Sequence, residues 1–126
     1  MGYRSQVVLA ISKHLIPFML LATSKNKATE ELVFKETDTF NRDYYGDKSW
    51  LMVWDSIKWY DTYEEISTIM EFVEKANKDL IEFEIDGLYQ SSSEHIRFVH
   101  VGEDYGDVEV MGDAFWDIYP HTQISY

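Results

Sequence analysis

Residues 50–54 read Trp-Leu-Met-Val-Trp, five large apolar side chains in a row, at the head of a segment from Trp50 to Tyr60 that alternates as a strand. Successive side chains of a strand point to opposite faces. Trp50, Met52 and Trp54 therefore share one face, and Leu51, Val53, Ile57 and Trp59 the other, until Asp55 interrupts. A strand apolar on both faces belongs in the middle of its sheet or under a cover. The chain has the material for such a core. It has 126 residues, 45% hydrophobic and 16% aromatic, which suits one domain spanning 1–126 that buries roughly two-thirds of its unfolded surface.

The remaining segments arrange themselves around that strand. Ser5 to Ile11 is a Val- and Ile-rich strand. Ser12 is placed to cap a helix running to about Thr23, with Pro17 near its front, where missing N–H groups cost little. Its apolar residues cover almost all faces, so it should be well buried or lie in an oligomer contact. Residues 24–48 are the least legible, with 29–34 open to either a helical turn or a strand and Asn41 to Lys48 loop-like in composition. Thr62 with Glu65 predicts a capping box, followed by a helix with Ile66, Ile69, Met70, Val73, Ala76 and Leu80 on one face. Ile81 to Tyr89 reads as a short strand ending in Asp86-Gly87. His95 to Val101 and Val108 to Met111 read as a hairpin, and Phe115 to Tyr126 as a final strand broken at Pro120. The sum is an α+β domain, a mainly antiparallel sheet with two helices packed on one face.

Composition narrows function mostly by exclusion. With no cysteine, there is no disulfide, thiolate metal site or cysteine nucleophile. The apolar run from Leu15 to Ala22 is eight residues, against the about 20 that a membrane span requires, and no secretory pattern precedes it, so no membrane association is expected and the cytoplasm is the expected location. The formal net charge of −12 opposes direct binding to nucleic acid. The charge is unevenly placed. Residues 1–29 hold Arg4, Lys13, Lys25 and Lys27 and no acid, whereas residues 98–126 hold six acids and neither Lys nor Arg. Such a surface either only keeps the protein soluble or offers anions to a basic partner.

Residues able to carry chemistry are few. His95 and His100 are five apart in one strand and so face opposite ways, unable to share a metal. Glu103, Asp104, Asp107 and Glu109 cluster near a turn without the spacing of an EF-hand loop. Neither a nucleophile elbow nor a glycine-rich phosphate loop is present. No catalytic residue, metal or cofactor is expected. Alternate strand residues lie about 6.6–6.8 Å apart, near the spacing of phosphates on a nucleic-acid strand. Asp107 and Glu109, with Glu71 and Glu74 on a helix face, therefore make a candidate acidic face for a basic groove.

Three segments carry a resemblance: Gly2-Tyr3-Arg4-Ser5-Gln6-Val7, Ile57-Lys58-Trp59-Tyr60-Asp61, and Arg97-Phe98-Val99-His100-Val101-Gly102-Glu103-Asp104 with Asp107 and Glu109 after it. In this order they resemble a family of small proteins encoded by bacteriophages and prophages, with GYRS-, VKWY- and RIGED-like motifs. This chain departs from the pattern at His100, where an Arg is common, and in its aromatic tail after Gly112. The family has no settled activity, so the resemblance implies a phage origin and little chemistry. Small phage accessory proteins often bind and disable host proteins, including CRISPR complexes and restriction enzymes. The leading expectation is thus a non-enzymatic inhibitor of a host protein, one that handles nucleic acid, acting in the host cytoplasm through Glu71, Glu74, Glu103, Asp104, Asp107 and Glu109. The alternatives are a small-ligand or nucleotide-binding module using Tyr3, Arg4, Ser5, Lys58 and Tyr60, with Arg4 or Lys58 holding an anion, and an enzyme of unknown class. A homodimer is compatible with each.

Overall fold

The computed structural model describes residues 4–103, 107–120 and 124–126. Five strands, β1 (Ser5–Ile11), β2 (Thr39–Tyr44), β3 (Ser49–Ile57), β6 (Ile96–Val101) and β7 (Val108–Met111), form one sheet. Their order is β2-β3-β1-β6-β7, and every neighbouring pair is antiparallel. β4 (Glu84–Ile85) and β5 (Leu88–Tyr89) make a separate two-stranded hairpin. Three helices, α1 (Ile16–Thr23), α2 (Lys27–Phe34) and α3 (Glu64–Asn77), pack on one face. The α+β class and antiparallel sheet are as expected. Among the described residues the α-helices number three and not the two expected, because α2 occupies part of the segment whose sequence was ambiguous. Among the described residues, no helix is long and apolar enough to cross a membrane.

The double-sided apolar strand finds both its covers. Val7, Leu9 and Ile11 of β1, Met52 and Trp54 of β3, and Ile96 and Phe98 of β6 meet the helices. Each such side chain, fully withdrawn from water, contributes about 1.5–3 kcal/mol. Val8, Ala10, Leu51, Val53 and Val99 face the opposite way and are covered by Ala114, Trp116, Ile118 and Ile124. The C-terminal segment is thus a lid on the second face and not the strand its sequence predicts. Among its described residues, the one strand-like feature is an isolated bridge between Tyr119 and Ser125. Arg97 holds it down, donating from Nη1 to the Gly112 carbonyl at 3.0 Å and from Nε and Nη2 to the Ile118 carbonyl at 3.3 and 3.2 Å. Gln6 adds a second anchor, its Oε1 accepting from the Ile124 N–H at 2.7 Å.

Local chemistry explains the other departures. Asn26 caps α2, its Oδ1 accepting from the Thr29 N–H at 2.8 Å, and Thr29, Leu32 and Val33 form its buried stripe. β2 is a polar edge strand in which only Tyr44 is buried, so its composition imitates a loop. Asp86 and Gly87 both have positive φ and turn a tight hairpin, splitting the single strand expected over Ile81 to Tyr89. α3 starts at Glu64 with Tyr63 as its N-cap and no side-chain cap. The Thr62 capping box does not form.

Candidate functional site

The sheet end that gathers the start of β1, the end of β3 and the end of β6 holds most of the candidate residues. β1 enters with a bulge against β3, pairing Ser5 with Ile57 but Val7 with Trp54. Ser5 is drawn inward by this turn of the chain and is 4% exposed. Its Oγ lies 2.8 Å from His100 Nε2. One residue earlier, the Arg4 backbone N–H donates to Glu103 Oε1 at 2.7 Å, and Arg4 Nη1 donates to the Ser56 carbonyl at 3.2 Å. Glu103 thereby clips the start of β1 to the loop after β6.

Two recesses border this end. The larger, about 680 Å³, is lined by Arg4, Ser5, Gln6, Asp55, Ser56 and Glu103 among others. The smaller, about 300 Å³, has Arg4, Lys58, Tyr63 and Glu65 in its wall. The expected ligand set is therefore divided. Ser5 and Lys58 line different recesses, which share Arg4. Tyr60 packs against Tyr63, ring centroids 5.3 Å apart, and lines neither. Tyr3 lies outside the described residues. The described wall of the larger recess carries two carboxylates, Asp55 and Glu103, and one guanidinium, which does not favour an anionic ligand.

The acidic candidates also separate. Glu71 is neutralised on the outer face of α3, with its Oε1 3.0 Å from Lys75 Nζ and 3.7 Å from Lys25 Nζ. The hydrogen bond from Lys75 and then the charge of Lys25 hold its carboxyl below the ordinary range. Glu103 is committed to the Arg4 backbone, and Asp104 lies outside the described residues. Glu74, Asp107 and Glu109 do come together, joined by Asp61, which the sequence reading did not single out. Glu109 stands opposite His100 in the β6–β7 register. Its carboxyl is pushed above the ordinary range by the protein packed around it; His100 opposes this, as the strongest of the charges acting on it, and Asp61, Glu74 and Asp107 each add to the rise. Much of the residue is nevertheless open to solvent, which screens these repulsions. Among the described residues, the charged groups acting on this carboxylate are three further acids and one histidine.

His95 lies at the other end of β6 from His100, in the 3-10 turn Ser92–His95 that precedes the strand and not in the strand the sequence predicts. Its Nδ1 is 2.8 Å from Ser12 Oγ, and its Nε2 is 3.3 Å from Gln90 Oε1. An amide oxygen only accepts, so Nε2 carries the proton and Nδ1 accepts from Ser12. Phe83 and His14 meet its ring edge-on, with centroids 4.9 and 5.7 Å away. Burial, and then His14, lower its pKa from the ordinary 6.5. This histidine is packed and hydrogen-bonded. Among the described residues, no three His, Asp or Glu side chains are placed to hold a metal ion.

Ser5 and His100 have the contact distance of a serine activated by a base. Yet Ser5 offers almost no surface to a substrate, and the bond satisfies a buried hydroxyl that would otherwise be unpaired. The pair ties β1 to β6. No protein-family model matches the chain, and neither comparison with curated proteins nor comparison with solved structures finds a match.

Proposed function

We propose that this chain is a binding protein, not a catalyst, and that it engages and disables a basic surface of a host protein through the acidic side of β7. The observation that carries this reading is the convergence of Asp61, Glu74, Asp107 and Glu109, contributed by the loop before α3, by α3 and by the β7 hairpin. The repulsion of Asp61, Glu74 and Asp107 acts on the Glu109 carboxylate at some cost, whereas the charge of Glu71 is balanced by Lys75 and Lys25. A cationic partner relieves that cost on binding. The net charge of −12 adds long-range attraction for the same class of partner, and the phage-family resemblance supports a host protein as the target. The ligand-module reading is weaker, because Ser5 and Lys58 line different recesses and each recess carries two carboxylates, Asp55 and Glu103 in the larger, Glu36 and Glu65 in the smaller.

The test is capture from a bacterial host lysate with tagged wild-type protein and with the double variant Asp107→Lys, Glu109→Lys, read by mass spectrometry at low and moderate salt. The reading expects a partner held by wild type, lost by the variant and released as salt rises, because exposed charges are screened beyond about 8–10 Å near physiological ionic strength. A partner captured equally by both proteins contradicts it.

A further inference from the structure

We propose that the outer edge of β7 accepts an added strand from the partner, an extended segment in which Lys or Arg alternates with an apolar residue. The basic half of that pattern rests on the acidic-face reading above. The edge itself is an independent observation.

β7 pairs with β6 on one side and with no other strand of the described chain. The Gly102 N–H donates to the Asp107 carbonyl at 2.8 Å, which makes that pair a hydrogen-bonded one. Hydrogen-bonded and non-bonded pairs alternate along an antiparallel ladder. In the register of these strands His100/Glu109 and Phe98/Met111 are then bonded pairs, and Val101/Val108 and Val99/Val110 are not. The N–H and C=O groups of Val108 and Val110 consequently point away from β6, towards the open edge. The side chains of the same two residues are 44% and 42% exposed.

The opposite edge of the sheet is blunted in ways that natural proteins use against strand addition. β2 loses register against β3 between Asn41 and Tyr44. Its Asp43 N–H is taken by Asn41 Oδ1 at 2.9 Å, and Arg42 lies over Phe40, 4.1 Å from the ring centroid. β7 keeps its register over all four residues and carries neither Pro nor Lys.

The two faces of β7 determine what an added strand must contain. Cross-strand neighbours share a face. Residues of the incoming strand on the helix face lie beside Glu109, in reach of the field of Asp61, Glu74 and Asp107, and those on the other face lie beside Val108 and Val110. Basic and apolar residues must therefore alternate. A second copy of this chain is the wrong occupant, because antiparallel pairing of two β7 strands brings Glu109 towards its own copy, and like charges facing each other destabilise a ladder.

The experiment follows backbone amide exchange by NMR in the intact, isotope-labelled protein, with the capped peptide Lys-Val-Lys-Val-Lys-Val as probe and Glu-Val-Glu-Val-Glu-Val and Lys-Gly-Lys-Gly-Lys-Gly as controls. The expected result is slowed exchange at Val108 and Val110 with the Lys-Val peptide alone. Val110→Pro removes a donor on the open side and leaves the β6 ladder complete, so it should weaken binding at least about tenfold, as should Glu109→Lys. If the peptide binds but both amides exchange as before, or if a folded Val110→Pro binds like wild type, strand addition is wrong while the acidic face stands. Binding indifferent to Glu109→Lys and to salt sinks the acidic-face reading instead. Protection that rises with protein concentration without peptide assigns the edge to a second copy. No binding of the Lys-Val peptide overturns the proposal. The wild-type exchange measurement decides the matter even if the proline variant does not fold.

Discussion

Two glutamates show how much a residue's neighbours decide. Glu71 is paired with Lys75 and Lys25, whereas Glu109 faces His100 across the strand pair with Asp61, Glu74 and Asp107 acting on it as well. A carboxyl whose folded pKa is raised above its unfolded value favours folding at low pH and opposes it once ionised. Glu109→Gln is accordingly expected to leave the melting temperature at pH 7 unchanged or higher while weakening binding to a basic peptide. A lower melting temperature would mark Glu109 as structural. His95 has the opposite sign. Its folded pKa is depressed below 6.5, so the unfolded chain takes up the proton first. Its stabilising contribution is complete above that value and declines as pH falls through it. The urea midpoint should drop between about pH 7 and pH 5.5, and His95→Gln should lessen the drop; an unchanged slope would contradict this. The sequence put His95 in one strand with His100, but His95 ends the 3-10 turn Ser92–His95 that precedes β6, so strand alternation does not govern where its ring points. The i,i+4 spacing of Glu71 and Lys75 makes their pairing legible in the sequence, but the cation Lys25 and the acids Asp61 and Glu74 reach the two glutamates only through the tertiary fold.

Elements with a strong period were legible, and elements defined by their surroundings were not. α3 repeats its buried residues every three or four positions, and β1 and β3 are apolar enough to be unmistakable. α2 is only eight residues long, with three buried, and its clearest signal was the Asn26 cap. β2 leaves five of its six residues, most of them polar, exposed or half-exposed, and is held as a strand by its pairing with β3. The Asp86-Gly87 pair was a stronger turn signal than the strand drawn through it. Gly112 is the hinge between β7 and the lid. Its φ is +89°, and a Cβ there would fall 2.0 Å from the Ile96 carbonyl oxygen. Its N–H is also held by Asn77 Oδ1 at 2.9 Å and its carbonyl by Arg97, which leaves little room to shift. Gly112→Ala should therefore cost at least about 2–3 kcal/mol in urea unfolding. A loss below about 0.5 kcal/mol would mean that the hinge relaxes freely.

The whole molecule is a sheet with unequal covers, helices on one face and an irregular C-terminal segment on the other. The sequence demanded a cover for both faces of the central strands but not its form, since a lid without regular structure leaves no period to read. Arg97 is the main fastening of that lid, and Arg97→Met takes charged donors from the Gly112 and Ile118 carbonyls, at a cost of about 1.5–3 kcal/mol. Amide exchange should quicken in 113–120 before it does in β1 or β3, whereas simultaneous loss would show the lid and sheet to be one cooperative unit. The same arrangement leaves β7 as the regular open edge, beside the gathered carboxylates, and there the functional account is most exposed to test. The decisive measurement is calorimetric titration of the Lys-Val peptide into wild-type protein and into the Asp107→Lys, Glu109→Lys variant, at two salt concentrations, with circular dichroism confirming that both are folded. The account predicts binding to wild type that weakens with salt and is lost in the variant. Equal affinity for both proteins, or none for wild type, would contradict it.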